Sequence, residues 1–217
     1  MTKPKPSKPS KPSKPSKPSK SMRAVGRPIG SGGGQSPALA VLQVKALLHE
    51  VSQQPNPTRN LALIHLLLCG LRVSEPLSLR VSDVTDIFGK VVDTFVLASI
   101  STKSGKPRRC YMSQSAQSAI AAWLLDKHMS SASPADRLFK LNASYAATLV
   151  AQLMKKAGLK GSSHSLRRTA ATTLCEKGIS PRIIQELLGH ASLAQTQIYI
   201  ETSTAKVQSA VFNNLNY

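Results

Sequence analysis

Residues 164–199 read HSLRRTAATTLCEKGISPRIIQELLGHASLAQTQIY, and this stretch indicates most clearly how the chain folds. Gly178 and Gly189 stand where helices are expected to stop, because glycine readily takes the left-handed conformation that ends a helix. The spacing predicts three successive helices, over residues 164–177, 181–188 and 193–201. The same stretch carries four side chains that can hold or attack an anionic group: His164, Arg167, His190 and Tyr199.

His164 and Arg167 are three positions apart and therefore share one face of the first of these helices. A guanidinium can make two parallel hydrogen bonds to phosphate oxygens, and a neighbouring histidine can exchange a proton near neutral pH. Taken alone, this pair is better explained as part of a solvated helix face, because the HxxR spacing is common by chance.

His190 directly follows Gly189, so it is expected at a turn where its ring can point into a cleft. Tyr199 comes nine residues later, on the following helical segment. Each also has a simpler explanation, His190 as a residue near a helix C-terminus and Tyr199 as an amphipathic filler.

Two further cations lie upstream. Arg72 follows Gly70 at the end of an apolar helix, and Glu75 is close enough in sequence to orient it. Lys103 heads the turn TKSGK at residues 102–106, where a long side chain can reach a phosphate or a leaving oxygen. Lys106 competes for the same role.

The remaining pattern predicts a mainly α fold with a small antiparallel β-sheet, an α+β class. The first helix is predicted to begin at Pro37 with Ser36 as its N-cap, and the second near Pro57. Further helices are predicted over residues 114–127 and 144–157. Strands are predicted over residues 84–88, 91–100 and 108–112.

Composition points to a polyanionic partner. Lys and Arg number 29 against 10 Asp and Glu, a net charge of +19. Neutralising phosphates releases condensed counterions, so nucleic acid is favoured over an anionic membrane surface. The three cysteines show no CxxC spacing, and no apolar run approaches the roughly 18 residues of a membrane span. We therefore expect a protein of the reducing cytoplasm, associated with the nucleoid and with no membrane partner.

The first 35 residues differ from the rest. Residues 5–19 are five copies of Lys-Pro-Ser, and nine basic residues without an acid give this segment a charge of +9. Regular prolines and like charges predict a disordered basic tail over residues 1–35. A folded domain is predicted over residues 36–217, and it keeps the other +10.

The joint pattern is more specific than any one residue. GLRVSE at 70–75, TKSGK, HSLRRT at 164–169, LGH at 188–190 and a tyrosine nine residues later occur in that order. This resembles the tyrosine recombinase (phage-integrase) family, whose catalytic domain carries R…K…HxxR…LGH…Y. The resemblance covers roughly residues 36–210.

The resemblance implies a role for each matching residue. Tyr199 would attack the scissile phosphate, leaving a 3′-phosphotyrosyl link and a free 5′-hydroxyl. Arg72 and Arg167 would clamp the non-bridging oxygens, and Lys103 would protonate the leaving oxygen. His164 would assist proton transfer, and His190 would hydrogen-bond the phosphate.

The resemblance also implies partners and cofactors. The expected substrate is double-stranded DNA, bound by a homotetramer on paired sites with possible accessory DNA-bending proteins. No metal, ATP or other cofactor is expected, and the source would be bacterial or phage-encoded. Val207, Val211 and Leu215 predict a short terminal helix with one apolar edge, suited to its own domain or to a neighbouring protomer.

Most family members carry a helical core-binding domain before the catalytic domain, and the present sequence resembles short members without it. We hypothesise that the basic tail partly substitutes by holding phosphates, the alternative being a merely tolerated extension. A type IB topoisomerase-like enzyme shares the chemistry and remains an alternative function. A non-catalytic DNA-binding regulator and a basic RNA-binding protein are further alternatives, the last disfavoured by the lack of aromatic-rich strand motifs.

Overall fold

The computed structural model of the protein describes residues 36–98, 105 and 107–199. That part of the chain forms a mainly helical domain with one two-stranded antiparallel sheet, which confirms the predicted fold class. The elements in chain order are α1 Val41–Ser52, α2 Pro57–Leu68, α3 Ser74–Ser78, α4 Val81–Val84, β1 Thr94–Leu97, β2 Arg108–Tyr111, α5 Gln114–Leu124, α6 Ala143–Lys156, α7 Ser163–Glu176, α8 Pro181–Leu188 and α9 Ala194–Gln197.

Helix α2 lies at the centre of the main hydrophobic core. Its sequence is apolar on most sides, and Leu63, Ile64 and Leu67 are almost completely buried. It packs against α1, α5 and α7, so the C-terminal end of α2 is held rigidly next to α7. Burying a leucine or isoleucine side chain contributes about 2 kcal/mol, so this helix is a firm support for the residues that follow it.

A second, smaller core lies between α7 and α8. It is formed by Ala171, Ile184 and Leu188, and Tyr199 packs against its edge. Helix α8 has apolar residues on one face only, which explains why it docks on α7 as a short amphipathic helix. The two cores together fix the ends of α2, α7 and α8 close to one another.

Within the described ranges, the sheet consists of β1 paired with β2. Phe95 pairs with Cys110 and Leu97 pairs with Arg108, with Phe95, Leu97 and Cys110 facing the core. Burial raises the pKa of the Cys110 thiol to about 11. That cysteine is therefore a small buried apolar residue of the core.

Two element predictions are wrong. Helix α1 begins at Val41 rather than Pro37, because the preceding residues run extended along α7. There, the Leu39 N–H donates to the Thr169 hydroxyl at 2.8 Å, and Ser36 lies 3.1 Å from the Ser162 hydroxyl. The strand predicted over 84–88 is also absent, because Asp86 accepts hydrogen bonds from the backbone of Phe88 and Lys90 and closes a turn instead.

Other boundaries shift only at their ends. Helix α5 stops at Leu124 and α9 spans Ala194–Gln197, both shorter than predicted, whereas α8 occupies residues 181–188 as predicted. The predictions for the tail over 1–35, for Lys103 and Lys106 and for the terminal helix lie outside the described residues. Among the helices that the structure describes, none is long and apolar enough to cross a bilayer.

Candidate active site

An open cleft brings together five of the six residues predicted from the sequence. Its lining includes Arg72, His164, Arg167, His190 and Tyr199. The remaining lining residues are Ser36, Arg168, Ala194, Gln195 and Ile198. These side chains come from the α2–α3 connection, α7, the turn after α8 and the segment around α9. The cleft therefore depends on the convergence of segments far apart in sequence.

Arg167 forms the buried floor of this cleft. It is 5% exposed, and its guanidinium donates to the carbonyl oxygens of Gly70 and of Leu188, the latter at 2.6 Å. These carbonyls belong to the C-terminal ends of α2 and α8, where helix dipoles favour a cation. Burial, and next the charge of Arg72, lower the pKa of Arg167 to about 10. The side chain still carries its full charge near neutral pH.

Arg72 is held by a buried carboxylate. Glu75 is almost completely buried and accepts from the Arg72 guanidinium at 2.9 Å and from the Arg72 backbone N–H at 2.7 Å. The Arg72 side chain stays 24% exposed, so part of its guanidinium faces the cleft. These two hydrogen bonds are how Glu75 can orient Arg72, the role that the sequence suggested for it.

His164 stands in the first turn of α7. The Ser162 side chain caps this helix by accepting from the His164 backbone N–H at 3.3 Å. The His164 side chain is exposed, one turn before the buried Arg167 on the same helix. This spacing places an imidazole at the rim of the cleft and a fixed cation at its floor.

His190 enters the cleft from the turn that ends α8. Gly189 adopts a left-handed conformation with φ 62°, and the next residue, His190, is held through its ring Nδ1, 2.9 Å from the Thr196 hydroxyl. Burial, and next the charges of Arg167 and Arg72, lower the pKa of His190 to about 4. The imidazole is therefore neutral near pH 7.

Tyr199 lies between ring and cation partners. Its ring stacks on that of His190, with centroids 6.0 Å apart and planes at 21°, and the Arg168 guanidinium lies 5.7 Å from the Tyr199 centroid. Aromatic and cation–π contacts of this kind restrict ring orientation and contribute on the order of 1 kcal/mol each. The phenol is thus held at the edge of a strongly cationic cleft.

Sequence reasoning missed several residues around the cleft. Arg168 and Thr196 touch Tyr199 and His190 respectively, and Arg108 shares Glu75 with Arg72. For Arg168 the available signal was its place in HSLRRT, directly beside Arg167. Arg108 had no local signal, because its partners are 33 and 79 residues away in sequence.

Among the residues that the structure describes, no group of three or more His, Cys, Asp or Glu side chains is arranged to hold a metal ion. The chemical capacity of the cleft is that of a cationic pocket containing one phenol and two imidazoles. Such a pocket can bind an anionic phosphodiester and offer it an oxygen nucleophile.

Comparison with known proteins identifies a family and several similar proteins. Residues 38–206 match the model of the phage integrase family. The tyrosine recombinase XerD of Rickettsia conorii is 32% identical over 193 residues, and XerA of Pyrococcus horikoshii is 36% identical over 166 residues. These alignments cover 81% and 74% of this chain. They span 63% and 56% of the relatives, so the chain corresponds to about three-fifths of their length.

Solved structures show the same fold. The crystal structure of the XerA recombinase superposes with a TM-score of 0.66 at 28% identity, covering 88% of this chain and 67% of that one. The Tn1549 transposon integrase in complex with transposon right-end DNA gives a TM-score of 0.70 at 20% identity, covering 87% and 69%. Because its identity is only 20%, the similarity to the Tn1549 integrase concerns the fold alone.

Proposed function

Because the chain belongs to the phage integrase family, we propose that it is a site-specific DNA recombinase that cleaves and rejoins DNA through a 3′-phosphotyrosyl intermediate. The observation that carries this proposal is the convergence of Tyr199 with Arg72, Arg167 and two histidines in one cleft. Within the proposal, the reaction uses neither metal nor ATP.

The two arginines bind the scissile phosphate from different depths. Arg167 is fixed by two helix-end carbonyls, and Arg72 is fixed by Glu75, so neither guanidinium must reorganise when charge builds up on the phosphate. Preorganised donors of this kind often supply the largest catalytic contribution. They stabilise the pentavalent transition state through its non-bridging oxygens.

Tyr199 supplies the nucleophile. Its phenolic oxygen attacks phosphorus, the bond to the 5′-oxygen breaks, and the phosphate becomes linked to the protein. His164, at the cleft rim, accepts the phenolic proton, while Lys103 delivers a proton to the departing 5′-oxygen. Attack by a 5′-hydroxyl from another strand reverses each step. The covalent link conserves the bond energy, which is why the proposal needs no ATP.

His190 contributes as a neutral donor. When the Thr196 hydroxyl donates to Nδ1, the ring proton lies on Nε2, which can then donate to a phosphate oxygen. Because burial, and next the charges of the surrounding arginines, keep the ring uncharged, this hydrogen bond does not depend on pH across the neutral range.

The substrate and the assembly are proposed by analogy with members of the family. The XerH recombinase and the Tn1549 integrase have been solved bound to DNA. By analogy we propose that this chain acts on double-stranded DNA, as a homotetramer on two paired sites. Its basic charge of +19 supports binding to a polyanion.

Strand exchange separates this function from its alternatives. Covalent complexes are captured under denaturing conditions from a pool of nicked duplexes with a randomised centre, and the selected sequence is placed twice in a supercoiled plasmid. A recombinase converts the plasmid into inverted or excised products. Relaxation without exchange indicates the topoisomerase-like alternative, and the absence of any covalent complex indicates a non-catalytic DNA-binding protein.

A further inference from the structure

Arg108 occupies an unusual position for an arginine. It is the first residue of β2, its side chain is only 10% exposed, and it does not line the cleft that holds Tyr199. Its Nε atom is buried and has no hydrogen-bond partner among the described residues. A residue placed there for stability alone would not leave a buried donor unpaired, since an apolar side chain avoids that loss.

The two Nη atoms of Arg108 donate hydrogen bonds to two groups, each of which holds a different cleft residue in place. One donates to Glu75 at 2.8 Å, the carboxylate that also holds Arg72. The other donates to the backbone carbonyl of Leu187, in the last turn of α8. Arg108 therefore links Glu75, which holds Arg72, to α8, the helix that directly precedes the turn with His190.

The connection to α8 is also steric. A Cβ atom added to Gly189 would lie 2.5 Å from Cδ and 2.9 Å from Nε of Arg108. Arg108 is thus packed flat against the glycine whose left-handed turn directs His190 into the cleft. Any movement of the Arg108 side chain changes the room available to that turn.

Removing Arg108 would affect Glu75 as well. The buried carboxylate would keep Arg72 as its partner, but Oε2 would retain only the Arg72 backbone N–H. A carboxylate with one oxygen less firmly bound can rotate, and the Arg72 guanidinium would rotate with it.

We propose that Arg108 is a positioning residue that holds Arg72, through Glu75, and His190, through the end of α8, in one rigid frame around the phosphate. This inference rests on the proposed recombinase function. It assigns Arg108 no contact with DNA or with the reacting atoms.

The test uses the full chain and the duplex captured covalently by the unchanged protein. The rate of adduct formation at saturating DNA and the Kd for uncleaved duplex are measured for Arg108→Met. The expected rate loss is about 10- to 100-fold, because small misplacements of catalytic groups carry such losses, with a change in Kd of less than about threefold. Arg109→Met is the matched control, since Arg109 is exposed on the opposite face of β2, and its saturated rate should equal that of the unchanged chain.

A double-variant cycle separates positioning from general weakening of the fold. If Arg108 acts on Arg72 through Glu75, Arg108→Met should slow a Glu75→Gln protein much less than it slows the unchanged chain. Arg108→Lys should recover part of the rate, because an ammonium reaches only one of the two acceptors. If Arg108→Met fails to fold, as shown by its thermal melt, the Arg108→Lys rate decides: a value equal to that of the unchanged chain overturns the inference.

Three other results would also overturn it: an unchanged saturated rate in Arg108→Met, an effect confined to Kd, or effects of Arg108→Met and Glu75→Gln that multiply fully. These outcomes leave the recombinase function intact, because the unchanged chain still forms the adduct. If the unchanged chain forms no adduct with any duplex in the pool, the proposed function fails and the role of Arg108 in it fails as well.

Discussion

At the scale of single residues, Arg167 shows how the fold keeps a cation where burial disfavours it. Its guanidinium lies between the carbonyl ends of α2 and α8, and these dipoles offset part of the cost of desolvation. Although burial lowers its pKa to about 10, the charge is retained near neutral pH. The cleft is therefore cationic by itself, without a bound ligand.

Burial, and next the charges of the neighbouring arginines, determine how His190 titrates. Its pKa is lowered from 6.5 to about 4 in the folded protein, so the unfolded chain binds a proton more readily than the folded one. Stability attributable to His190 is fully present above pH 6.5 and is lost as the pH falls towards 4. After allowance for solvent screening of this half-buried group, we expect the loss between pH 7.5 and 5 to be about 1 kcal/mol.

Denaturant unfolding at these two pH values measures that loss. His190→Gln removes the titrating ring, so its free energy of unfolding should fall less between pH 7.5 and 5 than that of the unchanged chain. His65, whose pKa burial also lowers, remains in both proteins and cancels in the comparison. Equal pH dependence in the two proteins would show that the ring of His190 is not desolvated.

At the scale of elements, the residues of the cleft lie near the ends of helices. Two glycines with positive φ, Gly178 and Gly189, allow α7 and α8 to end where they do. Gly189 at the end of α8 has φ 62° and faces Arg108, whereas Gly178 after α7 has φ 76° and nothing within 4 Å of an added Cβ. Gly178→Ala should cost only the backbone strain of a left-handed alanine, about 1 kcal/mol. Gly189→Ala should cost about 1–3 kcal/mol more, because the methyl group displaces Arg108.

Thermal and denaturant unfolding of both variants provide the measurement, and adduct formation provides a second readout. Gly178→Ala should keep the adduct rate at saturating DNA, and Gly189→Ala should lose most of it along with stability. Equal destabilisation of the two variants would mean that the packing of Arg108 against Gly189 contributes nothing.

Elements with local signals could be predicted from the sequence. Helix α8 has Pro181 at its start and Gly189 after its end, and its bounds were predicted correctly. The prediction of a strand over 84–88 is wrong. The apolar residues of this segment have the pattern of a strand, but the Asp86 side chain closes a turn there. The start of α1 was missed because contacts with α7, over 120 residues away, keep the preceding residues extended.

The candidate site, too, could be predicted from the sequence only in part. Motif spacing identified the cleft residues, but not that Arg167 is buried or that His190 loses its charge, since both depend on packing between distant segments. Arg108 could not be found because nothing near it in sequence indicates its partners. The roles of the individual residues, including Lys103, remain predictions.

At the scale of the whole molecule, charge is shared between two parts of the chain. Residues 1–35 contribute +9 of the +19, and seven lysines lie within residues 1–22. If the tail holds DNA phosphates, deleting residues 1–22 should weaken binding and reduce the slope of log Kd against log salt by about 0.9 for each phosphate released.

The measurement is a duplex-binding titration at several salt concentrations. A tail of unchanged length with these seven lysines replaced by serine is the matched control, and it should behave like the deletion. An unchanged slope in both proteins would show that residues 1–22 are a tolerated extension and that residues 23–217 account for the electrostatic part of binding.

The central claim is that Tyr199 attacks a phosphate held in the cationic cleft. Its most direct measurement is peptide mapping by mass spectrometry of the covalent complex captured from the nicked duplex pool, for the unchanged chain and for Tyr199→Phe. The account predicts a 3′-phosphonucleotide attached to Tyr199 in the unchanged chain and no adduct from Tyr199→Phe, which should still bind uncleaved DNA. An adduct retained by Tyr199→Phe, or mapped to a different residue, would contradict it.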